Sequence, residues 1–443
     1  LGLTMHIHLP LPRRFVPTDE RDTTLRRNMG FGIANGILFS IADAFSDTTL
    51  VLTVFISQLG ASPMVVGLLP ALKNGGWLLP QLISAGRLQG LRYKLPVYRN
   101  VGITRSCIWL LMTLLVWFSD RLPTAWLLLG FMLGYALYNF TGGAGSVAFQ
   151  EVVAKTIPAR KRGFFFGTRN MIGGLLAFAL VSPIVAWVLS RNSGFSFPHN
   201  FALLLSMSFV FIIGGITTFA SMKEPPTESP PAAISARNMF AVMPNLIRGD
   251  HDFRRYVISR IISRFGSLAD PFYILYAREV LHVPTRMIGV YLALRVISAA
   301  LSNVWWARVA DRHGNRALTV WTGWLLMTAP LWALSFVLWG DLASANTIAW
   351  LFGGVFLLIG LCTDGAMMAG LTYVMELAPV EQRTLYVGVS NTLMGIATFA
   401  PVLGGILVKV LGYEPVFAIA AILAGLGAWS SMYLPEPRKV SKQ

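Results

Sequence analysis

Residues 158–170, PARKRGFFFGTRN, and residues 379–391, PVEQRTLYVGVSN, decide how this chain is read. Pro158 and Pro379, Arg162 and Arg383, Gly167 and Gly388, and Asn170 and Asn391 all keep one offset of 221 residues, half the length of the chain. Arg87 and Arg308 keep the same offset, as do Pro63 and Pro284. Each stretch leads into the fifth apolar segment of a set of six. Two parallel six-helix repeats, related by an axis along a membrane normal, follow from that spacing.

Composition supports the reading. Of 443 residues, 55% are hydrophobic and 13% charged, and the mean hydropathy is +0.61. One soluble core cannot use that much apolar surface. Runs of about 18 or more mostly apolar residues, each enough to cross a hydrocarbon layer, recur throughout. They lack the alternation of a closed barrel. The expected fold is an all-α membrane protein of twelve transmembrane helices in two pseudo-symmetric six-helix bundles. The first six helices are placed at 29–57, 64–86, 97–118, 124–149, 164–190 and 200–221, and the second six at 257–279, 286–307, 317–339, 347–375, 384–411 and 415–434. The domains expected are an N-terminal tail (1–28), an N-terminal bundle (29–221), a linker (222–256), a C-terminal bundle (257–434) and a C-terminal tail (435–443). The linker is polar and proline-rich, MKEPPTESPPAAISARN, and cannot build a spanning helix.

A net charge of +16 would point to nucleic acid in a soluble chain. Here the basic residues gather in the loops on the side of the termini, which marks that side as cytosolic and excludes a nucleic-acid partner. An integral multi-pass protein of the plasma (inner) membrane, both termini cytosolic, is expected. The first 28 residues read as a cytosolic tail rather than a signal peptide. Cys107 and Cys362 fall inside spans, so no disulfide framework is implied.

The segment ARVADRHGNR, 307–316, lies between the second and third helices of the second half. It resembles the loop signature of the major facilitator superfamily, carried here by Asp311, Arg312, Gly314 and Arg316, with Ala307 in place of the leading glycine. The first half has GRLQGLRYK at 86–94, with Gly90 where the family usually has its acid. TFAPVLGG, ending at Gly405, partly resembles a signature of family exporters. The resemblance implies a secondary transporter that alternates access by rocking two bundles about a mid-membrane cavity.

Within the spans lie four acids, Asp43, Asp47, Asp270 and Asp364, and four deep cations, Lys73, Arg105, Arg264 and Arg295. An unpaired charge at such depth costs several kcal/mol on insertion scales, so these groups should face water, a solute or one another. Asp47 and Lys73 both fall about 14–15 Å below the outer surface at about 1.5 Å per residue. Asp270 and Arg295 repeat the arrangement in the second half. Two pairs are therefore expected, Asp47 with Lys73 and Asp270 with Arg295, serving either charge neutralisation or proton coupling. Asp43, one turn below Asp47, is the candidate for the proton itself, or is bonded to Ser40 or Asn74. Arg264 is a cavity or gate residue, and Asp364 a partner of Arg264 or Arg295 or a separate proton site. Glu151 with Arg162, and Glu376 with Arg383, are expected in a cytosolic charge network.

No Walker loop, HExxH or paired-cysteine metal spacing occurs, and all six histidines lie in tails or loops. No cofactor, metal or enzymatic activity is expected. The function expected is proton-coupled transport of a small organic solute, anionic or amphipathic, by a protein expected to be monomeric, with the lipid bilayer and protons as its other partners. Export is favoured over uptake symport or facilitated diffusion. The other class left open is a non-transporting sensor or assembly factor on the same fold.

Overall fold

The computed structural model describes residues 20–227, 236–339, 343–379 and 382–436. Among them no strand occurs. The helices in chain order are α1 (Glu20–Phe45), α2 (Thr53–Gln58), α3 (Pro63–Gln89), α4 (Leu95–Trp117), α5 (Thr124–Thr156), α6 (Ala159–Leu176), α7 (Ser182–Val188) and α8 (His199–Ala220). They continue with α9 (Ala236–Gly249), α10 (His251–Phe265), α11 (Phe272–Glu279), α12 (Met287–Trp339), α13 (Ala345–Leu377), α14 (Arg383–Ala397), α15 (Ala400–Leu411) and α16 (Tyr413–Ser431).

Nine of the described segments are long and apolar enough to cross a membrane, where the sequence reading has twelve. One of the nine, Met287–Leu338, is two helices joined at Gly314, whose φ of 87° needs a glycine. The rings of Trp305 and Trp321 lie 6.1 Å apart across that turn. In one straight helix they would be separated by about 24 Å. The rest of the difference lies in α3, long enough but made less apolar by Lys73, Asn74 and Gln81, and in the broken rod α10–α11. Helix α1 begins at Glu20, so helix replaces part of the expected tail, and α10 begins at His251 rather than 257. The linker carries a helix of its own, α9.

Four rods are interrupted, the eleventh by a turn at Thr398–Phe399 between α14 and α15. The first breaks at Ser46–Asp47, because the Asp47 carboxylate accepts from the backbone N–H of Thr49 and Leu50 and thereby competes with the helical ladder. A five-residue π segment, Thr48–Leu52, then leads into α2. The seventh rod breaks over Gly266–Ala269, a 3-10 turn, and resumes after Pro271, which has no N–H to give. A π segment, Ala177–Val181, separates α6 from α7. Broken helices at corresponding places in two repeats are where transporter folds put their binding sites.

The halves meet on the side away from the termini. A Cβ at Gly67 of α3 would collide with the carbonyl of Pro401, and one at Gly405 of α15 with the carbonyl of Pro63. Likewise Gly289 of α12 lies against Ser182 and Ala186 of α7. Within the second half, Leu268 and Phe272 pack against Gly404, next to Gly405 of the seam. The glycines of the exporter-like stretch thus have a packing role, backbone on backbone.

On the terminal side, Glu224 ties the first half together. Its carboxylate, almost fully buried, accepts from the N–H groups of Lys94 and Leu95 at the start of α4 and pairs with Lys155 Nζ at 2.6 Å. An acid at a helix N-terminus satisfies donors that the helix cannot. In the second half the Glu436 carboxylate lies beside Gly314, at the start of the corresponding helix.

Substituting Gly67 or Gly405 by valine is expected to force the seam apart. Spin labels at Ala61 and Leu411 would then report a longer distance by pulsed electron paramagnetic resonance, while an unchanged distribution would contradict the seam as the closing contact.

Candidate functional site

The break in the first rod presents Asp47 to the second half. Arg295 of α12 reaches across, donating from Nη1 to Asp47 Oδ1 at 3.0 Å and from Nη2 to Oδ2. The same Nη1 lies 2.5 Å from Thr49 Oγ1, and Thr49 Oγ1 also donates to Asp47 Oδ1 at 3.0 Å. Asp47 is buried, with 5% of its side chain exposed, and Arg295 keeps 27%. A bidentate guanidinium–carboxylate pair is both strong and directional. Nearer the outer end, Ser57 Oγ of α2 lies 3.5 Å from Glu279 Oε1 of α11, a second polar link between the halves.

The expected pairs are therefore rearranged. Asp47 takes Arg295 from the other half instead of Lys73 from its own, and Lys73 Nζ lies 3.9 Å from Asp43 Oδ2. The physical reason is the helix break. Unwinding at Ser46–Asp47 turns the Asp47 carboxylate out of the face it would share with Asp43 in a continuous helix. Asp270 lies in the fields of Arg264 and Arg295 without closing an ion pair to either. Ser40 donates to the Gly36 carbonyl rather than to Asp43.

Asp43 and Lys73 keep 62% and 36% of their side chains exposed. Lys73 also lies in the fields of Asp47 and Arg295, so this exposed face turns towards the inter-half pair, as the lining of the expected mid-membrane chamber would. One turn nearer the termini, Phe39 and Trp77 stand on the same faces of α1 and α3 as Asp43 and Lys73. Between them lies Arg105 of α4, its Cζ 4.2 Å from the Tyr138 ring centroid, 5.7 Å from Phe39 and 6.0 Å from Trp77. Asn74 is half-buried on α3.

In the second half Asn303 donates to Asp364 Oδ2 at 2.8 Å, so an amide rather than an arginine holds that acid. Arg264 occupies the last turn of α10. At the terminal side, Arg316 donates to the Met432 carbonyl, and Gly314 makes the turn that the loop signature implies. Asp311 and Glu376 each have an interaction, and Arg312 lies on α12 before the turn. Arg162 donates to the carbonyls of Ala154 and Ile157, at 2.7 and 3.0 Å, capping the end of α5 rather than pairing with Glu151, which is exposed. The side chain of Arg383 lies outside the described residues. Sequence reasoning missed Glu224, Lys155, Asn303 and the ring cage about Arg105. The i, i+4 spacing of Phe39 with Asp43 and Lys73 with Trp77 was the available signal for the cage.

The family model for the Major Facilitator Superfamily matches residues 256–443. The whole chain superimposes on solved transporters of that fold, with TM-scores of 0.67 to a D-xylose-proton symporter and 0.67 to a mutant of the nucleoside transporter NupG. The chain has the fold of these transporters, and its second half matches the family model. The symporter is 15% identical, with 94% of this chain and 99% of that one covered, and NupG is 14% identical, with 92% and 99% covered. A bacterial homologue of the iron transporter ferroportin, in an inward-facing state, has a TM-score of 0.66 at 14% identity, with 92% of this chain and 98% of that one covered. Over 295 residues the chain is 24% identical to uncharacterized proteins of Mycobacterium tuberculosis and Mycobacterium bovis, covering 66% of it and 56% of them. It thus spans about half the length of the curated relatives it matches. Its fold is that of secondary transporters.

A double-mutant cycle on Asp47→Asn and Arg295→Gln, read by denaturant unfolding in micelles, is expected to give a coupling of about 1–3 kcal/mol. Additive losses would show that the two side chains are not energetically joined.

Proposed function

We propose that this protein is a major facilitator, a proton-coupled secondary transporter of a small organic solute, with Asp43 as the proton site and Asp47–Arg295 as the latch of the far side. The observation that carries the reading is the Asp47–Arg295 pair between the halves, set beside the wet Asp43–Lys73 pair.

The two pairs communicate through Lys73, which lies in the fields of Asp43, Asp47 and Arg295 together. While Asp43 is a carboxylate it holds the Lys73 ammonium. A proton taken up by Asp43 from the chamber removes that hold and leaves Lys73 to compete with Arg295 for Asp47. The latch weakens, and the far side opens along the glycine seam. Deprotonation of Asp43 draws Lys73 back and restores the latch. The proton thus biases an element with two arrangements, which is what coupling requires. The asymmetry of burial supports the division of roles, since Asp43 meets water whereas Asp47 is enclosed by Arg295, Thr49 and two backbone donors. The basic side of the loops supports cytosolic termini in the plasma membrane.

The solved transporters of this shape are named for a sugar, a nucleoside and iron, so the shared shape does not choose the solute. With Gly405 serving the seam and Gly404 the packing of its own half, the exporter-like stretch does not choose a direction either.

Proteoliposomes holding a trapped pH dye, challenged with a panel of sugars, nucleosides and organic carboxylates, test the proposal. The expected result is a change of lumenal pH with at least one class, its sign giving symport or antiport. Asp43→Asn should abolish that change and Lys73→Gln should reduce it at least about tenfold, the equivalent of about 1.4 kcal/mol. A pH response that survives Asp43→Asn would remove Asp43 as the proton site, and silence across the panel would remove the coupling.

A further inference from the structure

We infer that Arg105 is the anchor for the charged end of the transported solute, and that the solute is a planar organic monoanion, a carboxylate attached to an aromatic or similarly flat body. This inference deepens the transporter reading and rests on it for the role of the chamber.

Arg105 lies ten residues into α4, so about 15 Å from the end of that helix at about 1.5 Å per residue, deeper than an arginine stem reaches to the surface. Its guanidinium has been given room. A Cβ added at Gly142 of α5 would sit 3.0 Å from Arg105 Cζ, so the group lies flat between Gly142 and the Tyr138 ring. Among the described residues no carboxylate lies within ion-pair distance of it and no hydrogen bond satisfies its Nε, which is buried. Lys73 and Arg295 each have an acid; Arg105 has rings. Rings attract a cation through their faces but leave its in-plane donors unsatisfied. An oriented, uncompensated fork of this kind is complementary to a carboxylate.

The surroundings select the rest of the ligand. Lys73 is committed to Asp43, so a single positive charge is on offer and a monoanion fits better than a phosphate dianion. Trp77, 41% exposed, presents an indole beside the guanidinium, and Phe39 stands opposite on α1. A flat apolar body attached to the carboxylate can stack there. The proton site is one turn away, at Asp43, which places solute and proton in the same chamber.

The test is equilibrium binding to the purified protein in micelles, by calorimetry, with benzoate, benzamide and inorganic phosphate as probes. Benzoate is expected to bind saturably, and benzamide and phosphate at least about tenfold more weakly, the factor one charge-assisted hydrogen bond supplies. Arg105→Gln should lose benzoate binding. Arg105→Lys, which keeps the charge and the packing volume but not the fork, should weaken it, and Trp77→Leu should weaken benzoate while leaving the order of the three probes intact. Benzamide binding as well as benzoate, benzoate affinity unchanged in both Arg105 variants, phosphate outranking benzoate, or no benzoate binding by the wild type would each overturn the inference. Binding requires no flux. Benzoate held through Arg105 in a protein that shows no pH response in liposomes would sink the coupling and leave this site standing, and a pH response driven only by neutral solutes would do the reverse.

Discussion

The bidentate contact between Asp47 and Arg295 is the constraint on which the observed arrangement depends, because it is a buried ion pair joining two bundles that otherwise meet through close-packed seams and the exposed Ser57–Glu279 contact. A charge pair buried between two bodies is costly to form and costly to break, so its value lies less in net stability than in making one arrangement distinct from another. Here it closes the side away from the termini. The same contact explains a local irregularity, since Asp47 is available to Arg295 only where the first rod unwinds, and that rod unwinds where a short polar run, Ser46–Asp47–Thr48–Thr49, bonds to its own backbone. One stretch of four residues therefore sets backbone path and inter-half contact together.

Much of the architecture was legible because hydropathy and repetition act over long distances. The 221-residue offset and the apolar runs required only that spans be long and halves be alike. The turn at Gly314 was legible for a different reason, a positive φ that glycine adopts at no steric cost. The partners of the buried charges were not legible. Depth counting assumes continuous helices, and it placed Asp47 opposite Lys73 and Asp270 opposite Arg295. A break rotates everything after it, and no periodicity in the sequence records how far. The terminal-side ties were missed for a related reason. Arg162 found carbonyls at the end of its neighbour α5 where an acid had been expected, while Glu224, in a linker that reads only as polar, caps α4 from far along the chain.

The chamber combines two kinds of group that sequence alone separates. Charges are conspicuous in an apolar run, and aromatic residues are not, because at 12% of the chain they are everywhere. Only the fold shows that three rings converge on one guanidinium and that a glycine on the facing helix leaves space for it. Residue type identified Arg105, and tertiary placement gave it surroundings.

The glycine seam has a thermal consequence. Where Gly67 and Gly405 lie on proline carbonyls, the halves are held by close packing that also brings in Val402 and Met64. Separating them on the watery side wets that surface, with a rise in heat capacity, and apolar attraction fades as the solution cools. Chilling should therefore loosen the closed side of this molecule, and warming should tighten it, the reverse of how a seam built from hydrogen bonds alone would respond.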